Sequence, residues 1–216
     1  MTQLIENTVN GRSFLVPEGD TDSVRYHTGT DEQNIGIILN HVPYDRAALC
    51  VQAGGNLGYF PIAFSKIFSR VITFEPDHVN FQCLSHNCTE ENIIKLQAAL
   101  GYDRMWVEIE VPDVTHVGLN QVKLSGQPMV PTLRIDDLAL PACDLIQLDL
   151  EGFEYQALLG AIETITKFRP ILAIELVGHT ARYGGGDGDK HCYELLAFHG
   201  YQLADTIYND RIFIPT

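Results

Sequence analysis

The sequence predicts an α/β fold built on a mainly parallel sheet that closes in an antiparallel hairpin near the carboxyl end. Three observations predict it. Apolar strand-length runs alternate with helix-length segments from residue 47 onward, the pattern of repeated βαβ units. The first run, Leu49-Cys50-Val51-Gln52-Ala53, empties into a turn of small residues, Gly54-Gly55-Asn56-Leu57-Gly58. The last two runs, residues 201–208 and 211–214, flank Asn209-Asp210, a two-residue hairpin signal.

Residues 11–40 contain Gly11-Arg12-Ser13-Phe14-Leu15-Val16-Pro17, then polar and turn-forming residues ahead of Ile35-Gly36-Ile37-Ile38-Leu39. They read as a short hairpin or extended arm followed by one helix. The alternation then gives a strand over 47–53, a helix over 58–68, a strand over 71–74 and a helix over 77–91, with Asp77 as N-cap. A third strand, 93–100, ends in Ala98 and Ala99, small enough to lie against an adenine face. Strand, helix and strand in repetition imply right-handed crossovers. Residues 101–142 break the rhythm, with a strand over 105–111 and a turn at Ser125-Gly126-Gln127-Pro128, and read as an insertion on the sheet edge. Strand 144–151, helix 153–168 and strand 170–177 resume the alternation, a glycine-rich stretch occupies 178–190, and a helix follows around 191–199. The expected organisation is a single domain over 1–216, with an arm and helix in 1–46 and a core in 47–216 that contains the 101–142 insertion.

At 216 residues the chain can bury about 70 per cent of its unfolded surface without a disulfide or metal staple. A formal charge of −14, with no run of Lys or Arg, repels phosphate backbones, so nucleic acid is not the expected partner. Residues 1–15 lack the basic and apolar regions of a signal peptide, and no apolar stretch is long enough to span a bilayer. Five cysteines without a CxxC pair suit reduced, buried thiols. The expectation is a soluble, cytoplasmic protein whose oligomeric state the residues leave open.

The glycine-containing turn lets backbone pass close to a ligand. The dinucleotide fingerprint, however, needs glycine where Asn56 stands, which disfavours a pyrophosphate loop. Glu75 follows the second strand, 23 residues after Gln52, and is placed to accept hydrogen bonds from both ribose hydroxyls of an adenosine. That placement equally suits S-adenosylmethionine, which has no phosphate. The expected cofactor contacts are Gln52, Gly54, Asn56, Gly58, Glu75, Ala98, Ala99 and Asp149.

Four blocks in order resemble the FkbM-type methyltransferases: Val51-Gln52-Ala53-Gly54-Gly55-Asn56-Leu57-Gly58-Tyr59-Phe60; Phe74-Glu75-Pro76; Leu133-Arg134-Ile135-Asp136-Asp137-Leu138; and residues 144–154, with Leu158-Leu159-Gly160-Ala161 on the helix behind. The resemblance implies a Rossmann-like class I methyltransferase fold with a seven-stranded sheet. It also implies S-adenosylmethionine as cofactor and O-methylation of a small hydroxyl acceptor such as a sugar. This chain departs from the family pattern at two positions, with Gln52 where aspartate is usual and Gln147 where lysine is frequent. An amide at 52 forgoes the charge assistance that can roughly double a hydrogen bond's strength near a methionine ammonium.

Asp149, Glu151 and Glu154 lie at or beyond the carboxyl end of an apolar strand, the edge where open α/β sheets bind ligands. Asp149 and Glu151 could orient the methionine amine, bind the acceptor hydroxyl or take its proton. Glu154 reads as helix-start chemistry. His179 opens the glycine-rich stretch and is the third catalytic candidate, a general base on a lid. Carboxylates can also hold a divalent cation, but without further ligand signals no metal is assigned. Two other functions stay open on the residues alone: a catalytically silent nucleotide-binding protein and a nicotinamide-dependent oxidoreductase.

Overall fold

The computed structural model describes residues 2–9, 11–20, 30–124, 126–127, 129–183 and 188–216. A hairpin of β1 (Leu4–Val9) and β2 (Arg12–Pro17) precedes α1 (Thr30–His41). The core then runs β3 (Leu49–Ala53), α2 (Tyr59–Ser65), β4 (Arg70–Phe74), α3 (His78–Asn87) and β5 (Ile93–Leu96). Next come β6 (Ala99–Leu100), β7 (Trp106–Glu110), β8 (Gln121–Lys123) and β9 (Val130–Leu133). The chain closes with β10 (Leu145–Leu148), α4 (Glu154–Leu159), α5 (Ile162–Phe168), β11 (Ile171–Glu175), α6 (Lys190–Phe198), β12 (Tyr201–Ile207) and β13 (Asp210–Pro215).

Seven strands form one sheet in the order β12-β13-β11-β10-β3-β4-β5. All neighbours are parallel except β13, which runs antiparallel to both β11 and β12. The central strands β3, β10 and β11 are buried on both faces because helices cover both, and apart from Gln52, Gln147 and the terminal Glu175 their residues are apolar. Ile72, Ile146, Leu148 and Ile174 pack under α4, α5 and α6 through Leu158, Ile165 and Leu196. Cys50, Leu145 and Ala173 meet Ile38 of α1 and Phe64 of α2 on the other side. Ile146 and Leu158 are fully enclosed, and each such side chain adds about 1.5–3 kcal/mol by burial.

The structure corrects four sequence expectations. The third strand is broken at Gln97-Ala98, so Ala98 lies between β5 and β6. The 101–142 insertion does not extend the main sheet. Its strands join β6 in a separate four-stranded sheet, ordered β6-β9-β7-β8, because Ala99, Val107 and Val122 find an apolar partner in Phe153. The helix expected over 153–168 is two helices; Gly160 presses against the Gly101 carbonyl, where any Cβ would collide, and α5 restarts after it. Its first amides are capped from a distance: Asp136 accepts from Thr164 N at 2.8 Å and Glu163 N at 3.1 Å. The terminal turn is Tyr208-Asn209, with Asp210 already paired to Ile207 in β13. Residues 184–187 of the glycine-rich stretch, and Ser125 and Pro128 of the expected turn, lie outside the described residues. Among the described residues no helix is long and apolar enough to cross a membrane, and all five cysteines are buried and unpaired.

Candidate functional site

The carboxyl ends of β3, β4, β10 and β11 meet along one sheet edge, and the site grows from the β3 turn. Gly54 N and Gly55 N both donate to the Phe74 carbonyl, at 3.1 and 2.8 Å, folding the turn against β4. Gly54 has φ 83° and lies so close to the Asp149 carbonyl that a Cβ would strike it, so both conformation and space require glycine. Asn56 continues the turn in a left-handed conformation, φ 44°. Its amide donates to Glu75 Oε2 at 2.7 Å, while Asp77 N donates to Glu75 Oε1 at 2.9 Å. Glu75 is thus fixed on the site wall and only 4% exposed. Burial pushes its carboxyl up to about 8, although both backbone hydrogen bonds pull the other way. Asp77 in turn caps α3, accepting from Val79 N and Asn80 N at 2.9 Å.

Glu75 opens onto a crevice of about 90 Å³ walled by Phe74, Ala98, Ala99, Leu100 and Val117. The insertion roofs it: Asn80 Nδ2 donates to the Val117 carbonyl at 3.1 Å and holds the short turn Val117–Leu119 in place. Through Gly54, Asn56, Gly118, Asp149 and Glu151 the crevice continues into a larger cleft of about 470 Å³. The cleft is within the size range of small-molecule sites.

Acidic groups dominate the cleft. Asp31, Asp149, Glu151, Glu175 and Asp210 line it, beside His116 and His179. Burial, then Glu175 and Glu151, hold the Asp149 carboxyl well above the usual carboxylate range. Glu151 has φ 53° and is pushed up to about 7 by burial and Glu175, against the pull of Arg182. His179 Nδ1 stands 3.2 Å from Glu151 Oε2, and Arg182 Nη1 donates to the Glu151 carbonyl at 2.8 Å. Glu175 Oε1 accepts from Asn209 Nδ2 at 3.1 Å. Asp210, raised to about 7 chiefly by burial and then Glu175, accepts from Asn34 Nδ2 at 2.9 Å. Glu154 turns away, accepting from Leu150 N at 2.8 Å and Gly152 N at 3.1 Å, and so holds the strand-to-helix loop rather than facing the cleft.

Residues 52–203 match the sequence model of the methyltransferase FkbM domain. The chain belongs to the FkbM methyltransferase family. This FkbM-family chain is similar in structure to the methyltransferase FkbM from Methylobacillus flagellatus KT, at TM-score 0.54 and 19% identity over 88% of this chain and 52% of that one. It is also similar to M. jannaschii TYW2 in complex with AdoMet, at TM-score 0.52 and 12% identity over 100% of this chain and 88% of that one. A third likeness is to Trm5b from Pyrococcus abyssi, at TM-score 0.51 and 11% identity over 98% of this chain and 54% of that one. At these identities the likeness is one of fold. The chain spans about half the length of the M. flagellatus protein. No curated protein matches it.

In the FkbM-family chain the expected site residues gather unequally. Gly54, Asn56, Glu75, Ala98, Ala99, Asp149, Glu151 and His179 all line the crevice or the cleft. Gln52 does not: fully buried under the turn, it donates from Nε2 to the Gly54 carbonyl at 3.0 Å and accepts from the Thr73 hydroxyl. Its position is that of a support for the turn, which corrects the expectation that it faces the ligand. Gly58 starts α2 and lines neither space. Sequence reasoning passed over Glu175, Asp210 and Asn34. The rule that picked out Asp149 at a strand's carboxyl end picks out Glu175 equally, whereas Asp210 and Asn34 reach the edge only through the hairpin and α1.

Proposed function

We propose that this chain is an S-adenosylmethionine-dependent O-methyltransferase acting on a hydroxyl of a sugar or other small polyhydroxylated metabolite. One observation supports it above the others: Glu75, at the end of β4, presents a buried carboxylate fixed by two backbone amides on the wall of a crevice lined with small and apolar residues. A carboxylate so held has lone pairs left to accept a ribose diol. Phe74, Ala98, Ala99 and Leu100 offer apolar walls to a purine. Gly54 brings backbone rather than a side chain to the passage toward Asp149, the carboxylate assigned on this reading to the methionine amine. S-adenosylmethionine, when bound, supplies an electrophilic methyl group.

The acid-lined cleft beside it takes the acceptor, whose hydroxyls find carboxylate and amide partners there. His179, held against Glu151, receives the hydroxyl proton, and Asp149 and Glu151 orient the acceptor. Holding the reacting groups in line removes about 7–11 kcal/mol from the barrier. The buried, unpaired cysteines fit a cytoplasmic location. The test is thermal unfolding with S-adenosylhomocysteine. At about 100 times its Kd the ligand stabilises the chain by about 2.7 kcal/mol, which raises Tm by about 5–11 °C in a chain this long. An unchanged Tm at saturating ligand overturns the reading.

A further inference from the structure

Glu175 has no part in the chemistry outlined above, yet it completes a cluster. Asp149, Glu151 and Glu175 each bring a carboxylate oxygen to a point where all three lie within 4.8 Å of one another. They arrive from separate segments: the end of β10, the left-handed residue beyond it, and the end of β11. Because Leu148 pairs with Ile174 in parallel register, Asp149 and Glu175 follow side by side at the same sheet edge. Among the described residues no lysine or arginine lines the cleft, and the one cationic side chain at the cluster's rim is Arg182, whose Nη1 stands 3.9 Å from Glu151 Oε2 and leaves Asp149 and Glu175 without such a partner.

A second, independent observation concerns neutral oxygens. Gln147 Oε1 and Asn34 Oδ1 are buried and without a hydrogen-bond partner among the described residues. Gln147 is 1% exposed and stands two positions before Asp149 on β10, on the same face of the strand. Its neighbour across the parallel register is Ala173, two positions before Glu175, so Gln147 and Asp149 on β10 run level with Ala173 and Glu175 on β11. Asn34 is 7% exposed on the cleft wall, and the bond from its Nδ2 to Asp210 turns Oδ1 away from that carboxylate. Buried acceptors without donors are costly and rare. Carboxylates with amide oxygens are the ligand chemistry of hard divalent cations, not of thiophilic metals.

We propose that a divalent cation of the magnesium, manganese or calcium class binds between Asp149, Glu151 and Glu175, with the amide oxygens of Gln147 and Asn34 as its neutral partners. The purpose of the site, holding hydroxyl oxygens of the acceptor and easing loss of a proton, rests on the methyltransferase reading. The site itself does not.

The test uses the full chain, stripped by chelator and dialysed, titrated with Mn²⁺ and followed by electron paramagnetic resonance of the free ion and by calorimetry. Mg²⁺ and Ca²⁺ serve as competitors. Saturable binding of one equivalent is expected, with E175Q and Q147L each weakening it by about tenfold or more. Q147L should also raise the Tm of the metal-free chain, since it removes an unpaired buried acceptor. Absence of saturable Mn²⁺ binding overturns the proposal, as does unchanged affinity in folded E175Q. If E175Q does not fold, folded Q147L decides by the same criterion. Mn²⁺ binding without a Tm response to S-adenosylhomocysteine sinks the methyltransferase reading alone, and the reverse result sinks the cation alone.

Discussion

Glu75 is buried against its own ionisation, yet its proposed partner, a ribose diol, donates to the ionised form. With a carboxyl raised from 4.5 to about 8, the native chain holds one more proton than the unfolded chain between those values. Its contribution to stability is therefore full below about pH 4.5 and is lost as pH rises through about 8. Unfolding of the ligand-free chain from pH 5 to 9 should show a fall in Tm that E75Q reduces. Over the same window affinity for S-adenosylhomocysteine should rise with pH in the parent and rise less steeply in E75Q, where the Asp149 and Glu151 carboxyls still titrate. Hydrogen bonds to a charged group are worth about 1.5–3 kcal/mol, so E75Q should bind about 10- to 100-fold more weakly by calorimetry. Equal affinity in the two proteins would remove the diol from Glu75. This residue was legible because strand length and turn spacing alone place it. Gln52 was not: its position in the turn motif suggested a ligand contact, while the partners that hold it, Thr73 and the Gly54 carbonyl, face the interior.

Two helices show why some elements were readable and others not. Asp77 caps α3 from the adjoining residue, a local rule visible in the sequence. Asp136 caps α5 from 28 residues before Thr164, and nothing near Ala161 announces it. D136A should cost about 1 kcal/mol, as lost caps do, and lower Tm by about 2–4 °C; D136N, which keeps an acceptor, should recover most of the loss. An unaltered Tm in D136A would show that α5 starts without help. The insertion sheet was hidden for a similar reason. β6 pairs with β9 (Ala99 with Thr132) and β7 with β9 (Val107 with Val130) far along the chain, and a strand's own alternation does not name its partner.

At the scale of the molecule, the amino-terminal hairpin is tied to the turn after β3 through one side chain. Asn87, at the end of α3, accepts from Leu15 N at 2.7 Å and donates to the carbonyls of Leu15 and Leu57 at 2.9 and 2.8 Å. Arg12 adds an ion pair to Glu90 at 2.6 Å. N87A strands the half-buried Leu15 amide and the buried Leu57 carbonyl, and should cost about 1–3 kcal/mol in urea unfolding with an unchanged m value. A drop in m instead would mean that the hairpin detaches before the core unfolds.

The reversed course of β13 has its own outcome. Every parallel strand brings its last residues to the ligand edge, whereas β13 brings its first, Asp210, next to Glu175. The segment that reaches this rim is the tip Tyr208-Asn209, which hydrogen-bonds to Gln33, Glu175 and Leu176. On the proposed reading, substitutions in that tip reshape what the cleft admits while leaving the donor's berth as it was, so choice of acceptor and possession of donor are separable in this fold.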